Sequence, residues 1–311
     1  MFMMMYFTSF ILVLSCKDWF LIWLGLEINM ISFIMMIYMK YSMLNIESCM
    51  KYFFIQSLGS VMLLMFMYLS MEMFSYLSSL LLCYKIGGGP FYFWFPSICS
   101  SISWWSCFYL MTLQKIIPLM LMSLFVNVLL WLMSMISLVI GVMGSMNQIE
   151  LKQLMAFSSI HHIGWMLLSF VVSDMFWMTY LLIYSIMMLG WIMYLDNGMI
   201  NNIMDSVKFS SKWIILLVLL NLGGIPPMMG FFLKWWSFNY FLIHEFSMMI
   251  LLVIFSVIML YIYFRIMYDF VLGGSYMYSW KLKMQFSNWF QYDVIILLSF
   301  CLGSMMCMIM S

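Results

Sequence analysis

The stretch KIGGGPFYFWFP, residues 85–96, is the most informative part of the sequence, because it places a lysine in an apolar run and then interrupts the helix. Three consecutive glycines weaken helical order, and Pro90 removes an amide donor. A lysine in a membrane-like segment is costly unless it faces protein or a water-filled path. The stretch NLGGIPPMMGFFLKW, residues 221–235, repeats the pattern and contains Lys234. Two interrupted spans, each with one lysine, indicate ion movement through a bilayer.

The composition excludes a soluble protein. Of 311 residues, 67% are hydrophobic and only 7% are charged, whereas soluble domains carry about 25% charged residues. A transmembrane helix needs about 20 apolar residues, and a membrane β-barrel shows short alternating segments instead. The apolar runs here are long and continuous. We therefore predict an all-α polytopic membrane protein that forms a single transmembrane domain, residues 1–311.

Apolar runs predict about 11 transmembrane helices. A polar loop with Lys40, Glu47 and Lys51 separates the second from the third, and the first is short for a full crossing. The predicted spans are residues 2–16, 19–39, 52–70, 73–95, 103–125, 126–145, 153–172, 175–195, 213–237, 246–270 and 292–310.

Lysines in the loops predict the orientation, because positively charged loops stay on the side of synthesis. Among odd-numbered loops only the first holds a lysine, Lys17. This bias places the N-terminus and the even loops on the positive side and the C-terminus on the opposite side. The even loops hold Lys40, Lys51, Lys152, Lys208, Lys212, Lys281 and Lys283.

Sequence motifs for cofactors are missing. The seven cysteines form no CxxC pair, and the chain shows no Walker loop, dinucleotide fingerprint or iron–sulfur cysteine pattern. Three histidines are too few for a multi-haem helical bundle. The net charge of +1 gives no indication of nucleic-acid binding. We expect no nucleotide, redox cofactor or metal on this chain.

Four ionisable residues lie deepest in the predicted spans: Glu27, Lys85, Lys115 and Lys234. Each costs about 2.5–3.5 kcal/mol at a helix centre on insertion scales. Pairing of Glu27 with Lys85 would offset two of these charges. Lysines kept from water gain and lose protons more readily, which suits a proton carrier. The alternatives are a structural ion pair for Glu27 and snorkelling to an interface for the lysines.

The stretch FSSIHHIGW, residues 157–165, adds a histidine pair in the middle of a span. His162 is a candidate proton relay between lysines, with a hydrogen-bonded packing residue as the equal alternative. His161 points about 100° away on the same helix and is the weaker candidate. We expect Ser158 and Ser159, one turn earlier, to hydrogen-bond to water or to the backbone, with packing as the equal alternative.

With these residues in view, the chain resembles the antiporter-like membrane subunits of respiratory complex I, and among them the family of NADH dehydrogenase subunit 2 of animal mitochondria. The matching stretches run in family order over most of the chain, and together they are highly specific. They are WLGLEINMISF (23–33), KYFFIQSLGS (51–60), KIGGGPFYFWFP (85–96), TLQKIIP (112–118), NQIELKQLMAFSSIHHIGW (147–165) and GGIPPMMGFFLKW (223–235).

The resemblance implies a bundle of two inverted five-helix repeats, roughly 2–145 and 147–310, each with one broken helix. It also implies proton translocation in the mitochondrial inner membrane, as a subunit of an NADH:ubiquinone reductase, with the N-terminus in the matrix and the C-terminus facing the intermembrane space. The residues implied are the glutamate partner Glu27, the first-half lysine Lys85, the central lysine Lys115, His162, and Lys234 of the second broken helix.

The resemblance further implies partners and cofactors. The partners are other membrane-arm subunits of complex I, including antiporter-like ones, and membrane lipids such as cardiolipin; nucleic acid is not among them. NADH, FMN, iron–sulfur clusters and ubiquinone are expected on other subunits, so this chain itself transfers no electrons. One departure is Tyr92, which stands where the family commonly has histidine. Two alternatives stay open: a freestanding cation/proton antiporter, and a structural linker that does not pump.

Overall fold

The chain is helical in the computed structural model, which describes residues 2–38, 42–68, 71–173, 175–198, 212–226 and 228–276. The described residues form thirteen α-helices and one 3₁₀ turn. In chain order they are α1 (Phe2–Ser15), α2 (Trp19–Ile37), α3 (Met43–Phe66), α4 (Met71–Ile86), a 3₁₀ turn (Gly89–Phe91), α5 (Trp94–Ser101), α6 (Trp104–Met111), α7 (Leu113–Met122), α8 (Val128–Ser145), α9 (Leu151–Val172), α10 (Phe176–Gly198), α11 (Lys212–Gly223), α12 (Met229–His244) and α13 (Phe246–Tyr276).

Seven helical segments in the described part of the chain are long and apolar enough to cross a membrane. A multi-pass membrane protein follows from them. The predicted last span, 292–310, lies outside the described residues. The seven segments are Trp19–Ile37, Met43–Phe66, Trp104–Met122, Val128–Ser145, Leu151–Val172, Phe176–Met193 and Phe246–Tyr268.

Helix α3 begins well before the predicted third span, so the expected polar loop is wrong at Glu47 and Lys51. Ser42 caps the helix by accepting a hydrogen bond from the Asn45 amide at 3.2 Å. Glu47 and Lys51 form an ion pair at 2.6 Å, four residues apart on the exposed helix surface. A serine cap and such a pair support a helix even where the sequence is polar.

The predicted span 103–125 divides into two helices, α6 and α7, at Thr112. Thr112 has φ −120° and ψ −74°, outside the helical region. Its hydroxyl donates to the Phe108 carbonyl at 2.7 Å, a local bond that competes with regular helix geometry. The interruption leaves Lys115 in the first turn of α7.

The chain divides into two compact units. Residues within Met1–Gly141 and Met155–Asp174 form the first unit, and residues within Val142–Leu154 and Met175–Ser311 form the second. In the first, α3 packs against α2, α4 and α5, and α4 also packs against α7. In the second, α11 packs against α10, α12 and α13. Each unit contains one of the two glycine-rich stretches.

Two glycines allow α8 and α9 to pack closely within the first unit. A Cβ added at Gly141 would lie 2.6 Å from the His161 amide nitrogen, and one at Gly164 would lie 2.7 Å from Ser137 Oγ. Such distances are too short for real atoms, so a side chain at either position must push the helices apart. Small residues at helix crossings are typical of membrane proteins.

Gly141→Ala is expected to destabilise the protein by about 1–3 kcal/mol, because the added methyl group meets backbone that cannot yield. The measurement is the midpoint of thermal unfolding in native membranes. Gly190→Ala is the matched control: Gly190 also lies in a helix, but nothing lies within 4 Å of an added Cβ. Equal midpoints for the two variants would contradict the close crossing.

Candidate functional site

Glycine residues build the end of α4, where Lys85 lies. The Gly88 amide donates to the Cys83 carbonyl at 2.9 Å, and the Gly87 amide donates to the Tyr84 carbonyl at 3.2 Å. These two bonds form a Schellman motif, which requires a residue with positive φ just after the helix. Gly87 supplies it with φ +77°. The sequence KIGG therefore ends the helix at Ile86, one residue after the lysine.

Side chains from other elements complete this helix end. Gln56 Nε2 on α3 donates to the Lys85 carbonyl at 2.9 Å, and Trp94 Nε1 donates to the Tyr84 carbonyl at 3.3 Å. The Lys85 side chain is buried and runs past Gly59, where an added Cβ would lie 3.2 Å from Lys85 Cγ. The last turn of a helix favours a cation, since its carbonyls carry partial negative charge.

Glu27 is near Lys85 but does not contact it. The Glu27 carboxylate accepts a hydrogen bond from Ser60 Oγ on α3. Glu27 still interacts electrostatically with Lys85. Glu27 and Lys85 are both among the described residues and form no ion pair with each other, so the direct pairing suggested by the sequence is not formed here. The carboxylate is instead satisfied by a neutral hydroxyl donor.

Lys115 is almost completely buried, with 1% of its surface exposed. Its Nζ atom lies 3.4 Å from the Ser159 carbonyl on α9 and 5.4 Å from the centre of the Phe95 ring. A cation at that distance from an aromatic ring is attracted by the ring's electrons. A carbonyl oxygen and a ring tolerate an ammonium group, but neither cancels its charge.

A cavity of about 30 Å³ joins the two lysines of the first unit, since both Lys85 and Lys115 line it. One water molecule needs about 10–15 Å³ of such space, so the cavity accommodates about two. Asn29 Oδ1 and Gln114 Nε2 are buried atoms without a hydrogen-bond partner in the described part of the chain, and both residues line the cavity. An acceptor and a donor are therefore available to ordered water.

The two histidines of α9 have different surroundings. Both are buried. His161 Nε2 accepts a hydrogen bond from Trp165 Nε1 at 3.0 Å, one turn along the helix. His162 lies one turn after Ser159, whose carbonyl faces Lys115, and is not among the residues that line the cavity. The structure brings α9 to Lys115 through Ser159.

The second unit repeats the same helix end. The Gly224 amide donates to the Asn221 carbonyl at 3.2 Å, and the Ile225 amide donates to the Leu220 carbonyl at 3.4 Å. Gly224 has φ +77°, the same value as Gly87. These bonds form a second Schellman motif, at the end of α11. Pro227 lies outside the described residues.

Lys234 reaches this helix end from the following helix, α12. Its Nζ atom donates to the Gly223 carbonyl at 2.8 Å, and its side chain is buried. Gly230, also on α12, donates its amide to Asn221 Oδ1 at 3.3 Å. Lys85 and Lys234 thus both lie at the C-terminal end of a helix. Lys85 belongs to that helix, α4, whereas Lys234 belongs to α12 and binds the end of α11.

Sequence reasoning missed four polar side chains: Asn29, Gln56, Ser60 and Gln114. All four lie within or beside apolar runs of the sequence. An amide or hydroxyl group in such a run needs a buried hydrogen-bond partner. The presence of these polar groups in apolar runs was therefore the sequence signal that could have identified them.

Gly224→Ala is expected to destabilise the second unit by about 1–2 kcal/mol, the usual cost of left-handed backbone for a residue with a Cβ. The added Cβ would also lie 3.3 Å from Lys234 Nζ. Thermal unfolding in native membranes measures the effect. At the neighbouring Gly223, an added Cβ meets its nearest atom at 3.5 Å, an ordinary contact. Gly223→Ala should therefore leave the midpoint unchanged or raise it, and a decrease as large as that of Gly224→Ala would contradict the role of φ.

Comparison with solved structures supports the architecture. A chain of respiratory complex I from Thermus thermophilus with bound aureothin superposes with a TM-score of 0.77 at 20% identity, covering 94% of this chain and 74% of that chain. A chain of the membrane-bound sulfane sulfur reductase, an archaeal respiratory membrane complex, gives a TM-score of 0.81 at 16% identity, covering 97% and 72%. At these identities the likeness shows a shared fold.

Comparison with protein families and curated sequences goes further and confirms the resemblance of the motifs. The family model for the transmembrane part of the NADH:quinone oxidoreductase/Mrp antiporter proteins matches residues 16–82 and 66–260. NADH-ubiquinone oxidoreductase chain 2 of Anopheles gambiae is 37% identical over 308 residues, covering 92% of this chain and 90% of the relative. The Locusta migratoria protein of the same name is 35% identical, with coverages of 89% and 86%. The chain belongs to the NADH-ubiquinone oxidoreductase chain 2 family.

Proposed function

We propose that this chain is a core membrane subunit of the proton-pumping NADH:ubiquinone oxidoreductase, complex I. It carries protons across the mitochondrial inner membrane through buried side chains, while electrons pass to quinone elsewhere in the assembly. The names of the similar sequences support membership in the enzyme. The observation that carries the proton role is the cavity lined by Lys85 and Lys115.

The first half of the path is electrostatic. Glu27 acts on Lys85 at a distance, and a carboxylate that moves towards a lysine favours the lysine's charged form. When the carboxylate withdraws, Lys85 releases its proton into the cavity. Water held by Asn29 and Gln114 passes the proton to Lys115. Each transfer moves one proton from one nitrogen to another, so charge is conserved at every step.

The second half of the path uses Lys234. The Lys234 ammonium rests on the carbonyl of Gly223 at the end of α11, and a proton released there exits to one side of the membrane. His162, one turn beyond the carbonyl that Lys115 faces, is the proposed relay that assists proton exchange between Lys85 and Lys115. Glu27, Lys85, Lys115, His162 and Lys234 are thus the proposed proton-translocating residues.

The proposed membrane architecture has eleven spans in two inverted repeats, roughly 2–145 and 147–310, within one transmembrane domain. The two Schellman motifs are the proposed breaks of the broken helices. Their shared hydrogen-bond pattern and their equal φ values support a repeat. The lysine bias of the loops supports an N-terminus in the matrix and a C-terminus in the intermembrane space.

The proposed partners are the other membrane-arm subunits of complex I, including antiporter-like ones, and lipids such as cardiolipin. The solved chains with this fold come from multi-subunit membrane complexes. Exposed apolar side chains along α3 and α13 supply surfaces for subunits or lipid. NADH, FMN, iron–sulfur clusters and ubiquinone bind elsewhere in the assembly.

A native gel of gently solubilised membranes tests the assembly. The gel is stained for NADH oxidation, and the chain is located by mass spectrometry. The proposal expects the chain in a very large band that oxidises NADH. A chain that runs alone or as a small oligomer would instead identify a freestanding cation/proton antiporter, and its lysines would then be tested for cation exchange.

A further inference from the structure

The hydroxyl of Ser60 has two acceptors within reach and one proton to share. Ser60 lies on α3 with 1% of its surface exposed. Its Oγ atom is within hydrogen-bonding distance of the Glu27 carboxylate, and it lies 2.8 Å from the Ser57 carbonyl. A serine hydroxyl donates one hydrogen bond at a time. Ser60 therefore has two states, one that holds Glu27 and one that does not.

Residues of α3 next to Ser60 also contact Lys85, which lies on α4. Gln56, one turn before Ser60, donates to the Lys85 carbonyl at 2.9 Å. Gly59, adjacent to Ser60, borders the Lys85 side chain, because an added Cβ would lie 3.3 Å from Lys85 Cε. A single rigid helix thus carries the donor for the carboxylate and the contacts that fix the lysine. Ser60 thus lies on the helix that contacts both charged residues.

We propose that Ser60 is a positioning residue that competes with Lys85 for the Glu27 carboxylate, an inference that rests on the proposed function. While Ser60 donates to Glu27, the carboxylate is held away from the ammonium, and Lys85 is free to pass its proton to the cavity. When the hydroxyl turns to the Ser57 carbonyl, Glu27 becomes available to Lys85 and favours its charged form. Ser60 sets how long the lysine keeps its proton.

Ser60→Ala removes the competitor, so Glu27 is left with Lys85 as its partner and the lysine holds its proton longer. We expect proton pumping by the assembled complex in sealed vesicles to slow by about tenfold, which corresponds to about 1.4 kcal/mol of barrier. Ser60→Thr keeps the hydroxyl and should stay within about twofold of the wild-type rate. Ser60→Cys, a weaker donor of similar size, should fall between the two and replaces Ser60→Ala if that variant does not assemble.

Ser48→Ala is the matched control. Ser48 is also buried on α3 and also donates to the carbonyl three residues earlier, Asn45, at 2.8 Å, but it contacts no carboxylate among the described residues. Its pumping rate should match that of the wild type. A slowing as large as that of Ser60→Ala would show that loss of any buried serine on α3 causes the effect.

A double variant separates competition from packing. Glu27→Gln removes the charge for which Ser60 competes, so Ser60→Ala should slow pumping no further in that background. Independent, additive losses would overturn the inference. A wild-type pumping rate in Ser60→Ala would also overturn it.

Lys115→Met separates the inference from the proposed function on which it rests. If Lys115→Met stops pumping and Ser60→Ala does not slow it, only the role of Ser60 fails. If neither variant has an effect, the proposed proton path itself fails.

Discussion

Replacing Lys115 by methionine should stop proton pumping through this chain and leave its assembly intact. Methionine is unbranched and adapts to the shape of its pocket, so it fills the buried space that the lysine leaves. One of the interactions lost is the long bond to the Ser159 carbonyl, at 3.4 Å. Removal of a buried charge offsets that loss. Loss of a proton-transfer group typically slows a reaction by about 10²–10⁴-fold, and we expect at least the lower value.

The measurement is the number of protons pumped per NADH oxidised, in sealed vesicles, with the amount of assembled complex checked on a native gel. Lys115→Arg is the most informative companion. Arginine keeps a positive charge but does not release its proton in proteins, so it should fail as methionine does if proton exchange is the function. Recovery with arginine would mean that Lys115 contributes charge alone.

Lys51→Met is the matched control for loss of a lysine. Lys51 is paired with Glu47 on the exposed surface of α3, and exposed pairs contribute about 0–1 kcal/mol. Its loss should leave pumping unchanged. Unchanged pumping stoichiometry in Lys115→Met, with assembly intact, would contradict the role of the central lysine.

The ionisable residues were predictable from the sequence because a charge inside an apolar run is conspicuous. Lys85, Lys115 and Lys234 are all buried in the structure, as expected of groups that face protein. The ends of the helices were also predictable from the sequence, since consecutive glycines favour the positive φ that a Schellman motif requires.

The polar partners were not predictable, because the sequence does not show which residues meet across helices. Gln56 and Lys85 are 29 positions apart, and Ser60 and Glu27 are 33 positions apart. Opposite charges suggested a direct Glu27–Lys85 pair, and Coulomb attraction alone favours one. A hydroxyl donor on the intervening helix α3 satisfies the carboxylate instead, which charge pairing cannot reveal.

The helix boundaries were mispredicted for local reasons. Hydropathy marks the apolar core of a span, whereas α3 extends beyond it through the Ser42 cap and the Glu47–Lys51 pair. At Thr112 the hydroxyl bonds to its own helix and interrupts a span that hydropathy predicts as continuous. A hydropathy profile takes no account of either interaction, so it could not predict these helix boundaries.

Lys234→Met is expected to reduce proton pumping through this chain by about a hundredfold or more, by the same loss of a proton-transfer group. It carries a larger structural cost than Lys115→Met, because the hydrogen bond that it removes is shorter. Lys234 donates to the Gly223 carbonyl at 2.8 Å, and a buried carbonyl that loses its donor costs about 1–3 kcal/mol. Pumping per NADH oxidised is again the measurement, with the amount of assembled complex as the second readout.

Lys234→Gln separates the two contributions. The glutamine amide donates a hydrogen bond, so it retains a donor for Gly223, but it neither gains nor loses a proton at physiological pH. If Lys234 transfers protons, glutamine restores assembly and leaves pumping as low as methionine does. If Lys234 only holds the end of α11 against α12, as a structural linker requires, glutamine restores both. Wild-type pumping in Lys234→Gln would therefore remove this lysine from the proton path and leave it as a helix cap.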